Sequence, residues 1–184
     1  TSWTSAWLDI APGTALTLTH GLGGDPWQYS IDLWSRDTRA GGLGIHNRGF
    51  GGLPVGAQRL GTYWRNLGDQ QVTVVRQPDD VAAAQVLLRV WVADPADYDS
   101  TWQPLTAGSV LTLTHGLGGE VQDLAVGIKL LDEPGSLGVH QYGLGGMVTG
   151  GNLQGAAWRG LSSQVVGIVR WRDDTASDRA RVLI

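Results

Sequence analysis

The chain of 184 residues has no cysteine, a net charge of −4 and an isoelectric point near 5.4. Without cysteine there is no disulfide and no thiolate metal or redox centre, and the acidic balance excludes a broad electrostatic footprint for nucleic acid or an anionic membrane. Apolar runs fall well short of the ~20 residues of a membrane-spanning helix, so no membrane insertion is expected, and no basic-then-apolar leader opens the chain; if it is exported, the signal has been removed.

Taken in order, the chain reads as one unit written twice. Trp3-Thr4-Ser5-Ala6-Trp7 opens the first copy and Tyr98-Asp99-Ser100-Thr101-Trp102 the second. The nonamer Leu16-Thr17-Leu18-Thr19-His20-Gly21-Leu22-Gly23-Gly24 returns unchanged as Leu111 to Gly119, an offset of 95. Its Leu/Thr alternation is the period-2 pattern of a half-buried strand, and the glycines after His20 mark a turn. Tyr29–Leu33 and Leu124–Leu130 alternate likewise. One residue is then lost, and the offset of 94 holds to the end. Leu43–His46 matches Leu137–His140, and Gly61–Leu67 matches Gly155–Leu161, predicting third and fourth strands. A fifth, Val72–Arg76 or Val166–Arg170, leads into Gln77-Pro78-Asp79-Asp80 or Trp171-Arg172-Asp173-Asp174, where Pro and Asp suit a type I hairpin turn. The sixth is Gln85–Trp91 or Arg179–Ile184. With 28 Gly and no long uninterrupted apolar helical face, the chain is expected to be all-β: two tandem six-stranded antiparallel β-sandwich repeats, residues 1–95 and 96–184. The short Asp94-Pro95-Ala96-Asp97 linker predicts a nearly fixed angle between them.

Each histidine precedes a Gly-x-Gly-Gly: His20 and His115 directly, His46 and His140 three residues ahead. If both loops of a copy met at one end of the sandwich, they would pair imidazoles beside Asp25 or Glu120, fit for a metal or polar ligand; alternatively each ring bonds the turn backbone. Nothing marks a phosphate cradle or a catalytic nucleophile, so neither a cofactor nor enzymatic activity is expected. In Trp64-Arg65 and Trp158-Arg159 strand alternation places one residue inward. Trp is the core candidate, leaving Arg65 and Arg159 outside to grip a carboxylate or diol, or to ladder with a cross-strand acid. Arg76 with Asp79-Asp80, and Arg170 with Asp173-Asp174, put a cation and two acids at one tip. Two carboxylates are too few for calcium, and Asp is a common turn residue.

At Asp99-Ser100-Thr101-Trp102, Ala107-Gly108 and Leu111–Gly118, and in the first copy at Trp7, Pro12-Gly13 and the nonamer, the unit resembles the opening of H-type lectin-like repeats of bacterial and phage surface proteins. The resemblance implies a six-stranded antiparallel sandwich, frequently trimeric, that binds galactose-type sugars at protomer interfaces; none of the family's later sugar contacts aligns here. The expectation is therefore an extracellular or cell-surface, carbohydrate-binding or adhesive module whose partner is a glycan or other surface ligand. Its two related sites would draw on His20, His46, Trp64 and Arg65, and on His115, His140, Trp158 and Arg159. The alternative is an assembly subunit of an extracellular array, sheath or virion, with Trp27 and Trp34 as contact surface and a further copy of the chain as neighbour.

Overall fold

The computed structural model describes all residues except 1, 56, 93–95 and 150, and the side chains of 53–55 and 147–149 are also left aside. The protein is all-β, 45% strand and 3% helical, with every strand pairing antiparallel. It divides into two compact units, Thr1–Asp94 and Pro95–Ile184. Part of the expected linker, Asp94-Pro95, lies outside the described residues.

In the first unit the strands are β1 (Trp3–Thr4), β2 (Leu8–Asp9), β3 (Ala15–Thr19), β4 (Tyr29–Asp37), β5 (Gly44–His46), β6 (Leu53–Val55), β7 (Gln58–Leu60), β8 (Thr62–Arg65), β9 (Gln71–Arg76) and β10 (Gln85–Val92). One sheet has the order β1-β10-β4-β5 with β2 also on β10; a second is β3-β9-β8; β6 and β7 form a ribbon. Val72 and Val74 of β9 and Val86, Leu88 and Val90 of β10 are fully buried, as the two-residue period requires. A buried hydroxyl contact, Ser35 Oγ to Thr62 Oγ1 at 3.0 Å, ties one sheet to the other. Among the described residues the unit therefore has ten strand segments where six were expected. The extra ones are two-residue strands at the start and the ribbon, too short to carry a periodic signal.

The second unit repeats the plan with β11 (Gln103–Pro104), β12 (Val110–Thr114), β13 (Gly127–Asp132), β14 (Gly138–His140), β15 (Met147–Thr149), β16 (Asn152–Gln154), β17 (Ala156–Arg159), β18 (Val165–Arg170) and β19 (Arg179–Leu183). Its sheets are β11-β19-β13-β14 and β12-β18-β17, with a β15-β16 ribbon. One apolar cluster draws Leu113, Ala156, Val166 and Ile168 from the smaller sheet and Ile128, Leu130, Ala180 and Val182 from the larger, so the two sheets share a core. Each fully buried aliphatic side chain there contributes about 1.5–3 kcal/mol by leaving water.

The expected hairpin turn after the fifth strand is a different device. Asp80 N–H does bond Gln77 O, and Asp174 N–H bonds Trp171 O, both at 3.2 Å, as in a four-residue turn. The strands on either side, however, do not pair; β9 and β10 belong to different sheets, as do β18 and β19. A buried ion pair directs this change of sheet. Arg76 donates through Nε to Asp80 Oδ2 (3.0 Å), through Nη1 to Ile10 O (2.8 Å) and through Nη2 to Asp80 O (2.7 Å). Asp80 in turn accepts from the backbone N–H groups of Gly61, Ala82 and Ala83. Arg170 and Asp174 repeat the arrangement with Leu105 O, Gly155, Ala176 and Ser177, and Asp178 adds a second carboxylate to Arg170.

Breaking a buried pair by removing one member strands the other charge. Asp80→Ala is expected to lower the stability of the first unit by about 3–5 kcal/mol, read as a shifted midpoint in urea denaturation. A loss below about 1 kcal/mol, the range of a surface pair, would contradict the role assigned to Asp80.

Candidate functional site

The histidines do not converge. His20 follows the end of β3, where its N–H and that of Gly21 bond Gln70 O, just before β9 begins. His46 lies past the far end of β9, its Nε2 3.1 Å from Ala82 O. Six residues of strand, roughly 20 Å, separate the two ends. In the second unit His115 Nε2 meets Ser162 O at 3.1 Å and His140 Nε2 meets Ala176 O at 2.7 Å, again on either side of a six-residue strand, β18. Of the two alternatives, the imidazole pair is not formed in either copy, and the rings bond backbone instead, His140 that of Ala176 and not of its own turn. His20, His46 and His115 also accept at Nδ1 from the backbone N–H two residues on. Among the described residues no group of three or more His, Asp or Glu is placed to hold a metal.

Burial pushes the His20 and His140 imidazoles below the ordinary histidine range; at His140 the bond to Ala176 O and the nearby Asp132, Asp174 and Asp178 oppose this. His20 also packs edge-on between Trp3 and Tyr29. These are features of rings held neutral in a wall, not of rings offered to a ligand.

The Trp-Arg pairs divide. Trp64 is 3% exposed and sits in the core as expected, whereas Trp158 is 46% exposed and is no core residue. Both pair with a fully buried partner, Val74 or Ile168; nothing in the structure accounts for the difference. Arg65 and Arg159 face Thr73 and Gly167 across the sheet, so the expected cross-strand acid is absent, and neither forms an ion pair among the described residues. One departure between the copies, Asn66 against Gly160, and one shared glycine contact have local explanations. Asn66 and Gly160 both sit at positive φ, 51° and 59°, which these residue types tolerate best. Gly61 backs onto Gly49, and Gly155 onto Gly143, so tightly that a methyl on either would overlap backbone. A shallow groove by this glycine contact, lined by Arg48, Leu60, Asp80, Val81 and Ala82, offers a ligand little beyond Arg48, since Asp80 is already engaged.

The chemistry that does gather lies on the solvent side of the larger sheet of the first unit. Strand alternation turns Gln85, Leu87, Arg89 and Trp91 of β10 outward, because Val86, Leu88 and Val90 point in, and the register sets them opposite Arg36, Trp34, Asp32 and Ser30 of β4. The Arg89 guanidinium lies 3.9 Å over the Trp34 ring and 5.0 Å over that of Trp91, and pairs with Asp32. The Arg36 guanidinium lies 3.9 Å over Trp7 and donates to Gln85 Oε1 at 3.3 Å, while Gln85 Nε2 donates to Asp9 Oδ1 at 2.9 Å. Trp7, Trp34 and Trp91 are all half-buried, each with a guanidinium on its ring. Trp34 is thus part of a stacked ladder and not a bare contact residue; Trp27 is half-buried outside it.

The second unit does not reproduce this face. Lys129 stands in place of Trp34, Leu131 in place of Arg36, and Leu183 in place of Arg89. Ion pairs take over instead, Arg181 with Asp99 and Arg179 with Glu133. The alternation in 29–37 and 85–92 could have exposed the ladder, since it puts Trp34, Arg36, Arg89 and Trp91 on outward positions.

The chain matches no family model, no curated protein and no solved structure.

Unfolding lets the buried imidazoles recover their ordinary pKa of about 6.5. The unfolded state then binds more protons below that pH, so the stability that neutral His140 and His20 confer is full above about pH 6.5 and falls as the pH drops. Melting temperature is expected to decline between pH 7.5 and 5.5, and His140→Gln should flatten that slope. A wild-type slope retained in the variant would contradict the assignment. The Asp37 carboxylate, held well below its usual range chiefly by Arg39, acts only below about pH 4 and does not confuse the test.

Proposed function

We propose that the protein is a non-catalytic binding module whose ligand surface is the Trp7-Trp34-Trp91 face of the first unit, and that the ligand is a carbohydrate. The observation carrying this reading is the ladder itself: three half-buried indoles interleaved with Arg36, Arg89 and Asp32 on one solvent-facing sheet. Indole faces and edges suit the apolar faces of pyranose rings, and fixed guanidinium and carboxylate groups suit their hydroxyls. Stacking and pairing with Arg hold the side chains in place before a ligand arrives, which lowers the ordering cost of binding.

This reading keeps the expected lectin-like character and surface location and moves the site. It replaces two related sites at the Trp-Arg dipeptides with one face per chain, each unit being a β-sandwich descended from one duplicated ancestor. A second reading, self-assembly into an array, draws on exposed Leu43 and Ile45 at the edge strand β5, on whose outer side no strand pairs among the described residues.

Calorimetric titration with a glycan identified on an array is expected to give a stoichiometry of one per chain, with Trp34→Ala and Trp91→Ala each weakening affinity tenfold or more. A stoichiometry of two, or affinities unchanged in both variants, would count against the proposed face. Light scattering at the same concentrations reads the assembly alternative.

A further inference from the structure

On the premise that the ladder face binds a carbohydrate, we infer that the sugar it selects is acidic, carrying a carboxylate on the pyranose ring, and that Arg36 is the residue that reads this charge.

The inference comes from the charges along the ladder. Arg89 is paired with Asp32, so that guanidinium is already matched. Arg36 has no carboxylate partner among the described residues; its contacts are the Trp7 ring and the neutral amide oxygen of Gln85. Gln85 stands between Arg36 and Asp9, its oxygen toward the arginine and its nitrogen toward the acid, so Asp9 is engaged without closing an ion pair on Arg36. Of the five guanidinium N–H groups, one is used on Gln85.

A planar fork fixed over an indole is preorganised for a planar carboxylate, which it can take with two parallel hydrogen bonds. The surroundings suit a ring bearing that group. Trp7 supplies an aromatic surface under the guanidinium, and Ile45, directly across the sheet from Arg36 and 54% exposed, supplies an apolar flank. In the second unit the position of Arg36 is Leu131, and the arginine opposite it, Arg179, is paired with Glu133. At this position of the sheet an unmatched guanidinium is found in the first unit and not in the second.

The test compares the full chain against oligogalacturonate and a neutral galacto-oligosaccharide of equal length, by calorimetry at 50 and 300 mM salt. Sulfated galacto-oligosaccharide serves as a third arm. Wild type is expected to bind the uronate at least tenfold tighter than the neutral oligomer, with the gap narrowing at high salt. Arg36→Gln should cost the uronate at least tenfold more affinity than it costs the neutral oligomer and so remove that preference, Arg36→Lys should restore part of it, and Arg59→Gln, an equal charge change elsewhere, should leave it intact. Equal affinity for uronate and neutral sugar, or an Arg36→Gln loss that is the same for both, would overturn the inference and leave the carbohydrate reading standing. A preference for sulfate over carboxylate would overturn the carboxylate assignment. No binding of any oligomer would overturn both.

Discussion

The fold turns on a buried arginine and a buried aspartate four residues apart. Between them Arg76 and Asp80 gather the carbonyl of Ile10 and the amides of Gly61, Ala82 and Ala83, so three separate stretches of the first unit meet at one ion pair. The chain leaves the smaller sheet at Arg76 and enters the larger at Gln85. The pair sits where that crossing would otherwise bury unsatisfied backbone groups, each costing about 1–3 kcal/mol. Desolvating two charges is expensive, and the arrangement is tenable because each guanidinium nitrogen of Arg76 and each carboxylate oxygen of Asp80 has a protein partner. Arg170 and Asp174 hold the second unit in the same way, with Asp178 as an additional acceptor.

Inside that frame the two units diverge on their outer surfaces. The inward strand positions stay aliphatic in both, Val86-Leu88-Val90 against Ala180-Val182, while those alternating with them change from Trp34, Arg36 and Arg89 to Lys129, which is itself buried, Leu131 and Leu183. A closely packed core tolerates little change of volume, whereas an outward side chain can be replaced at small cost. One copy carries the Trp-Arg ladder, and the other carries ion pairs such as Arg181 with Asp99.

Much of the fold was legible because it rests on periodicity. Leu16-Thr17-Leu18-Thr19 and Val72-Thr73-Val74 alternate as strands and form strands. What periodicity could not supply was which strand lies in which sheet. Gln77-Pro78-Asp79-Asp80 has hairpin chemistry, but its role is set by the tertiary contacts of Arg76 and Asp80. The histidines illustrate the same limit: their shared Gly-x-Gly-Gly context leaves open whether they meet, and it is β9 and β18 that hold them apart. The ladder was half legible. Its positions follow from alternation, but the stacking of Arg36 on Trp7 joins residues 29 apart in the chain, which no local pattern reveals. Trp64 and Trp158, alike in sequence and pairing, differ in exposure for reasons no local signal carries.

The central claim is that one face of one unit binds the ligand, and the indole N–H resonances of the nine tryptophans report on it directly. Two-dimensional nitrogen–proton spectra recorded during glycan titration should show Trp7, Trp34 and Trp91 shifting together along one isotherm while Trp64, Trp102, Trp158 and Trp171 stay in place. Shifts centred on Trp158 or Trp64, with the ladder resonances unmoved, would contradict it.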